Sequence, residues 1–176
     1  MRRFVLAVSI SLAATGAAAQ TKPTSTMQLD SDHADVAVMM SGAKHPFAVA
    51  AGALEYDSAR PERSTIAVSL DTTSLADQGA RAAFDADHFP ELRIASTGIA
   101  RKSGSGETLA TDVTIRDVTR PVVFQIVLQT VSARLVHLHA EAKIHGADFH
   151  LSGKSGDITI AIDAPFNAVQ TTRALP

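Results

Sequence analysis

The stretch VHLHAEAKIH, residues 136–145, alternates apolar and polar side chains without a break. Because successive side chains of a β-strand point to opposite faces, this pattern predicts a strand with one dry face and one wet face. Such strands are typical of antiparallel sheets that cover a core on one side only. The dry face consists of Val136, Leu138, Ala140, Ala142 and Ile144. The wet face consists of His137, His139, Glu141, Lys143 and His145.

Several other segments alternate in the same way, and the chain contains no internal repeat. We count about eight or nine strands, and a sheet of that size tends to close on itself. The sequence therefore predicts an all-β fold, a single antiparallel β-barrel of about eight strands. The inward-facing residues outside the first stretch would be Val36, Val38 and Met40; Ile66, Val68 and Leu70; Val122, Phe124, Ile126 and Leu128; and Ile158, Ile160 and Ile162.

One segment interrupts the alternation: alanines gather in TSLADQGARAAFDADH, residues 73–88. Ser74 or Asp77 is suited to cap a helix, and Pro90 is suited to end one. The sequence thus predicts one short helical segment near residues 73–88.

Two of the eight aromatic residues, Phe84 and Phe89, fall at the end of that segment. We interpret them as the apolar underside of a short helical cover beside a barrel mouth.

The first nineteen residues have the layout of a secretory signal peptide: two arginines, an apolar run and a small-residue end. We predict cleavage near Ala19/Gln20 and export to the periplasm, with no stable membrane insertion because the apolar run is short. The predicted organisation is a signal peptide over 1–19, a flexible leader over 20–26, a barrel domain over 27–168 and a C-terminal tail over 169–176.

Composition excludes several classes of function. Without Arg2 and Arg3 of the signal peptide the chain has 14 basic and 18 acidic residues, a net charge of −4, and no basic stripe that would bind nucleic acid. The chain has no cysteine, which excludes thiol catalysis and thiolate metal sites. No spacing of serine, histidine and acid indicates a nucleophile with its base. We therefore predict that the protein is not an enzyme and has no catalytic residues.

Five blocks of the chain form a recognisable series: LDSDHADVAVMM (29–40), GALEYD (52–57), FDADHFPELRIAST (84–97), VTIRDVTRPVVF (113–124) and HGADFHL (145–151). In their identity and order they resemble the YceI-like, polyisoprenoid-binding proteins, which are lipocalin-like barrels. The resemblance covers nearly all of residues 27 to 166. The chain departs from the family pattern where Met27 and Gln28 replace a tryptophan, Thr111, Asp117 and His150 replace glycines, and Gly146 replaces an arginine.

The resemblance implies a carrier that encloses an amphiphilic isoprenoid, a quinone or polyprenyl lipid, with no covalent cofactor. The apolar inward faces fit that function, and short residues at Ala51, Ala53, Ala140 and Ala142 would leave room inside. The same apolar faces are also compatible with a solid core. The predicted ligand-binding residues are Val36, Val38, Met40, Ile66, Val68, Phe84, Phe89, Ile94, Phe124, Ile126, Leu138 and Ile160.

The histidines suggest an alternative to the lipid carrier, a metal-binding protein. His137 and His139 share a strand face at a spacing that binds zinc in some enzymes, and Glu141 continues that face. Because the face is the wet one, we predict no metal and keep a metal site at these three residues as a minority hypothesis. His33 is open to two interpretations: it belongs to an acid–base or headgroup-recognition cluster at a barrel mouth, or to a hydrogen-bonded strand start. His88 either contacts ligand or is solvated.

A third class is a structural or stress-related partner protein whose barrel is filled. The expected partner of the carrier is a hydrophobic small molecule, with no nucleic acid. The sequence leaves open whether the barrel forms a homodimer.

Overall fold

A computed structural model of the chain describes residues 24–102, 106–151 and 156–169. The predicted signal peptide, the first residues of the leader (20–23) and all but the first residue of the C-terminal tail lie outside the described residues. No helix in these described ranges is long and apolar enough to cross a membrane.

Nine strands and one short α-helix make up the described regular structure, together with three short 3-10 helices. The strands are β1 (Ser25–Leu29), β2 (Asp35–Met40), β3 (Ala43–Tyr56), β4 (Thr65–Asp71), β5 (Glu91–Lys102), β6 (Gly106–Ile115), β7 (Val118–Ser132), β8 (Leu135–His145) and β9 (Asp157–Ala168). The helix is α1 (Gln78–Phe84), and the 3-10 helices are Pro61–Arg63, Thr72–Ser74 and Gly146–Phe149.

The strands form a closed antiparallel barrel. From β3 to β9 each strand pairs with the next one along the chain, and β1 and β2 both pair with β3 on one side and β9 on the other. Strands β1 and β2 therefore follow one another in a single position, and the barrel has eight positions. The predicted all-β barrel of about eight strands is confirmed.

Alternation places the core inside this barrel, as in β8, where every second residue from Val136 to Ile144 is buried. Opposite them in register lie Ile158, Ile160 and Ile162 of β9, which are buried as well. Burial of aliphatic side chains on both sides of each pairing is the main source of stability for such a sheet.

Strand β3 departs from simple alternation, because its register with β4 shifts between Val49 and Ala51. Such a β-bulge adds one residue to a strand and reverses which residues face inward beyond it. Ala51 and Ala53 are consequently exposed on the outer surface. The prediction that they line the interior was wrong, whereas Ala140 and Ala142 are buried inside.

The N-terminal boundary of the barrel lies earlier than predicted. Ser25 and Thr26, which we assigned to the flexible leader, belong to β1 and pair with Tyr56 and Glu55. Their polar side chains do not prevent pairing, because backbone groups make the ladder and the following Met27 anchors the strand in the core.

The helical segment is confirmed but is shorter than residues 73–88. Asp77 caps α1 by accepting a hydrogen bond from the backbone N–H of Ala80 at 2.7 Å. Ser74 has another role, because its hydroxyl oxygen accepts from the N–H of Ala48 at 2.8 Å and ties the segment to β3.

Helix α1 ends at Phe84, and Pro90 does not terminate it as we predicted. Asp85 adopts a left-handed conformation with φ of 51°, and its N–H donates to the carbonyl of Ala82. The helix therefore ends at a left-handed cap seven residues after its first residue, before the proline is reached.

Candidate ligand site

Eleven of the twelve predicted ligand-binding residues lie together in the barrel core. They are Val36, Val38, Met40, Ile66, Val68, Phe84, Ile94, Phe124, Ile126, Leu138 and Ile160. The twelfth, Phe89, is only half-buried and lies outside this cluster.

The centre of the barrel is filled by its own side chains. Phe124, Leu138 and Ala140 have no exposed surface, so the space between them does not admit a water molecule. Thr111 is the one polar residue that its strand turns inward here, and its hydroxyl donates to the carbonyl of Val122 at 2.9 Å. The interior is thus largely apolar, and a ligand chain would have to displace side chains in order to enter.

One end of the barrel, which we call the helix end, is covered by α1. Phe84 is buried there, and its ring meets the ring of Phe47 edge-on with a centroid distance of 5.7 Å. Leu75 and Phe149 are also fully buried at this end. Phe84 therefore forms the apolar underside that we predicted for the cover.

Phe89 instead contacts a cation. The guanidinium of Arg116 lies over its ring, 5.5 Å from the centroid, at a distance typical of a cation–π contact. Arg116 also donates to the backbone carbonyl of His150 at 2.6 Å and to the carboxylate of Asp85 at 3.2 Å. One side chain from the β6–β7 turn thus joins the end of α1 to the segment after β8.

Three non-glycine residues in left-handed conformations meet in this cluster: Asp85 (φ 51°), Arg116 (φ 59°) and His150 (φ 52°). Left-handed backbone is unfavourable for residues with a Cβ atom, so surrounding contacts must maintain it. The Nε of Arg116 is buried and has no hydrogen-bond partner among the described residues.

His88 hydrogen bonds through Nδ1 to the carboxylate of Asp85 at 2.7 Å. This bond raises the pKa of His88 above its ordinary value, and it lowers the pKa of Asp85. The imidazole is 79% exposed, which favours the solvated interpretation of this residue over ligand contact.

The His88–Asp85 pair predicts a small pH dependence of stability. Because the pKa of His88 is raised in the folded state, the pair stabilises the protein most at pH values below the ordinary histidine pKa. This stabilisation is lost as the pH rises through the pKa of His88 in the folded protein. In thermal unfolding we expect the difference in Tm between the unchanged protein and His88→Gln to be largest near about pH 6 and to shrink toward about pH 8. An equal difference at both pH values would contradict this assignment.

The opposite end of the barrel, which we call the tyrosine end, is crossed by a hydrogen bond. The hydroxyl groups of Tyr56 on β3 and Thr130 on β7 lie 2.9 Å apart. These strands are four positions apart in an eight-position barrel, so the two side chains meet from opposite walls.

A cleft of about 530 Å³ lies on the side of the barrel, over β1, β3, β4 and β5. Many of its lining residues are small, including five alanines, two serines and Gly52. Its walls also include Val68 and Ile94, which belong to the predicted ligand-binding set, and Leu29, which is half-buried against the core.

The histidines of β8 turn toward a carboxylate. Nε2 of His137 lies 3.1 Å, and Nδ1 of His139 lies 3.3 Å, from the two oxygens of Asp163 on the neighbouring strand. Within the described residues no group of three or more His, Cys, Asp or Glu side chains is arranged to hold a metal ion. The structure does not bring Glu141 together with His137 and His139 as the minority metal hypothesis requires.

Sequence reasoning missed the side cleft and the bond across the tyrosine end. A glycine inside a strand commonly marks a close approach of another group, and Gly52 was the available signal for the cleft. Nothing in the spacing of Tyr56 and Thr130 indicates their contact, because 74 residues separate them.

Comparison with known proteins gives one family. The model of the YceI-like domain matches residues 24–168. No curated protein sequence matches the chain.

Solved structures of the same fold are similar to this chain at low sequence identity. BcnA from Burkholderia cenocepacia has a TM-score of 0.65 and 15% identity, covering 78% of this chain and 98% of its own. A polyisoprenoid binding domain from Saccharophagus degradans, implicated in plant cell wall breakdown, has a TM-score of 0.62 and 12% identity, covering 84% and 100%. The YceI protein of Campylobacter jejuni has a TM-score of 0.58 and 14% identity, covering 97% and 100%.

The family match spans most of the chain and agrees with the eight-position barrel, its helical cover and its apolar interior. The chain belongs to the YceI-like family.

Proposed function

We propose that this protein binds the apolar chain of an isoprenoid lipid, such as a quinone or polyprenyl lipid, inside its barrel and carries it through the periplasm. Binding rather than catalysis is the proposed activity, and no covalent cofactor takes part. The observation that carries the proposal is the largely apolar interior of a closed barrel, where the inward hydroxyl of Thr111 is already hydrogen-bonded.

The energetics favour a long apolar ligand over a small polar one. Each isoprenoid methylene removed from water contributes about 0.8 kcal/mol, so a chain of many carbons gains enough to offset the displacement of core side chains. The interior offers almost no polar partner for a headgroup, and the headgroup would therefore remain outside the core.

The likeness to the polyisoprenoid binding domain of Saccharophagus degradans supports this ligand class through the shared fold. Export to the periplasm is supported by the basic, apolar and small-residue order of residues 1–19. A carrier there would move its lipid through water between membranes.

The test is mass spectrometry of an organic extract from protein purified out of the periplasm. We expect an isoprenoid or quinone at about one molecule per chain. An empty extract, both as purified and after incubation with ubiquinone-like lipids, would overturn the proposal.

The filled interior favours a second candidate, a barrel that binds no small molecule and acts through its surface. Phe124 and Leu138 are completely buried by protein side chains alone. The outer face of β7 exposes Val123, Val127 and Val131, and it would be the apolar surface available to a partner in that case. An empty extract would favour this candidate.

A further inference from the structure

The proposed function requires a route from solvent into a barrel that is closed at both ends. At the helix end, α1 seals the barrel with Phe84, which is packed edge-on against Phe47. Opening this end would separate α1 from the core and expose several fully buried side chains together, among them Leu75 and Ala80.

At the tyrosine end, two of the strand pairings reach nearly to the strand tips. Strand β7 pairs with β8 as far as Ser132 and Leu135, and β3 pairs with β4 as far as Glu55 and Thr65. The hydrogen bond between Tyr56 and Thr130 joins opposite walls at this level. A chain entering here would have to break that bond.

The described wall is interrupted between β1 and β2. Strand β3 pairs with β2 over residues 43–47 and with β1 over residues 53–56. In the described chain, residues 48–52 have no partner strand along that edge, and the bulge of β3 falls within them. Opening the wall here would break no strand pairing.

The loop between β1 and β2 is anchored away from this gap. The N–H of Asp30 donates to the carbonyl of Pro165 at 2.9 Å, and the side-chain amide of Asn167 donates to the Asp30 carboxylate at 3.3 Å. His33 closes the same turn on Asp30 at 3.0 Å. The loop is thus held by β9, and the gap lies on the side toward β3.

Leu29 fills this gap. A Cβ atom added to Gly52 would lie 2.5 Å from the Cβ and 2.7 Å from the Cδ1 of Leu29, so the leucine rests directly on the glycine backbone. Leu29 is half-buried, and it lines the side cleft together with Val68 and Ile94. Leu29 therefore lies between the cleft and the core, beside the core residues Val68 and Ile94 that also line the cleft.

We infer that isoprenoid lipid enters and leaves through the side of the barrel, at the break between β1 and β2, and that Leu29 seated on Gly52 is the closure of this opening. The inference rests on the proposed function and adds the route to it. Moving the side chain of Leu29 breaks no strand pairing, whereas entry at either end requires a hydrogen bond or a packed helix to give way.

The test measures how fast a fluorescent farnesyl ester binds to the full-length mature protein and how fast it is displaced, by stopped-flow. Leu29→Ala should accelerate both association and release by about tenfold, with a smaller change in Kd, because the core that holds the chain is unaltered. Gly52→Ala should accelerate both rates in the same direction, because the new methyl group forces Leu29 off its seat.

Leu128→Ala and Tyr56→Phe are the controls, since Leu128 is also a partly buried leucine against the core and both residues lie at the tyrosine end. These variants should change the rates by less than about twofold. Equal or greater acceleration by either control, or unchanged rates in Leu29→Ala, would overturn the side route. If the unchanged protein binds no probe at all, the proposed function fails, and the route fails with it.

Discussion

Replacing Phe84 with alanine should lower the free energy of unfolding by about 3–5 kcal/mol. The ring is 1% exposed and lies at the end of α1, where it meets Phe47 edge-on. Its removal leaves a cavity beneath the helix, and a seven-residue helix has too little stability of its own to close over it. A domain of this size is stable by only about 5–15 kcal/mol, so the loss is a large share of the total.

Urea unfolding followed by far-UV circular dichroism measures this loss, because the chain has no tryptophan to report by fluorescence. Phe89→Ala is the matched control: the same residue type, five positions along, half-buried under Arg116. It should lose about 1–2 kcal/mol, which corresponds to a cation–π contact and partial burial. Equal losses in the two variants would contradict the different places of the two rings.

Replacing Ala140 with leucine should destabilise the protein by about 1–3 kcal/mol, because the barrel has no space for the added carbons. Ala140 is fully buried between Ile126 of β7 and Ile162 of β9. If an isoprenoid chain occupies the interior, the same change should also weaken its Kd by about tenfold or more, since the leucine competes for that volume.

Ala53→Leu is the matched control for Ala140→Leu. Alternation along β3 predicts an inward position for Ala53, but the bulge places it outside, where added carbons meet solvent. Its effect on stability should stay within about 0.5 kcal/mol in the same urea experiment. A loss as large as that of Ala140→Leu would mean that Ala53 faces the core.

Much of the barrel was predictable because, in a strand with one buried face, every second side chain is apolar. The alternation in residues 136–144 and 158–162 gave the inward residues of β8 and β9 correctly. The same rule failed in β3, since a bulge adds a residue without leaving a hydrophobic signature. The capping role of Asp77 was predictable from residue type, whereas the left-handed end of α1 at Asp85 is accompanied by a contact with Arg116 from the distant β6–β7 turn.

The candidate ligand site was likewise predictable from the sequence only in part. Eleven of the twelve predicted residues are in the core because burial of apolar side chains drives folding. Phe89 was misplaced, because a phenylalanine packs equally well against a core or beneath a guanidinium, and only the fold brings Arg116 to it. His137 and His139 likewise meet Asp163, which is 24 residues beyond His139 in the chain.

The sequence by itself determined the fold class, the family and the apolar character of the interior, because these follow from local alternation and from motifs that are contiguous in the chain. Only the tertiary structure decided that the helix end is sealed by Phe84, that Tyr56 and Thr130 cross the other end, and that the wall is interrupted beside Leu29. Each of these features depends on which distant segments meet when the sheet closes, and closure is a property of the whole barrel rather than of any one strand.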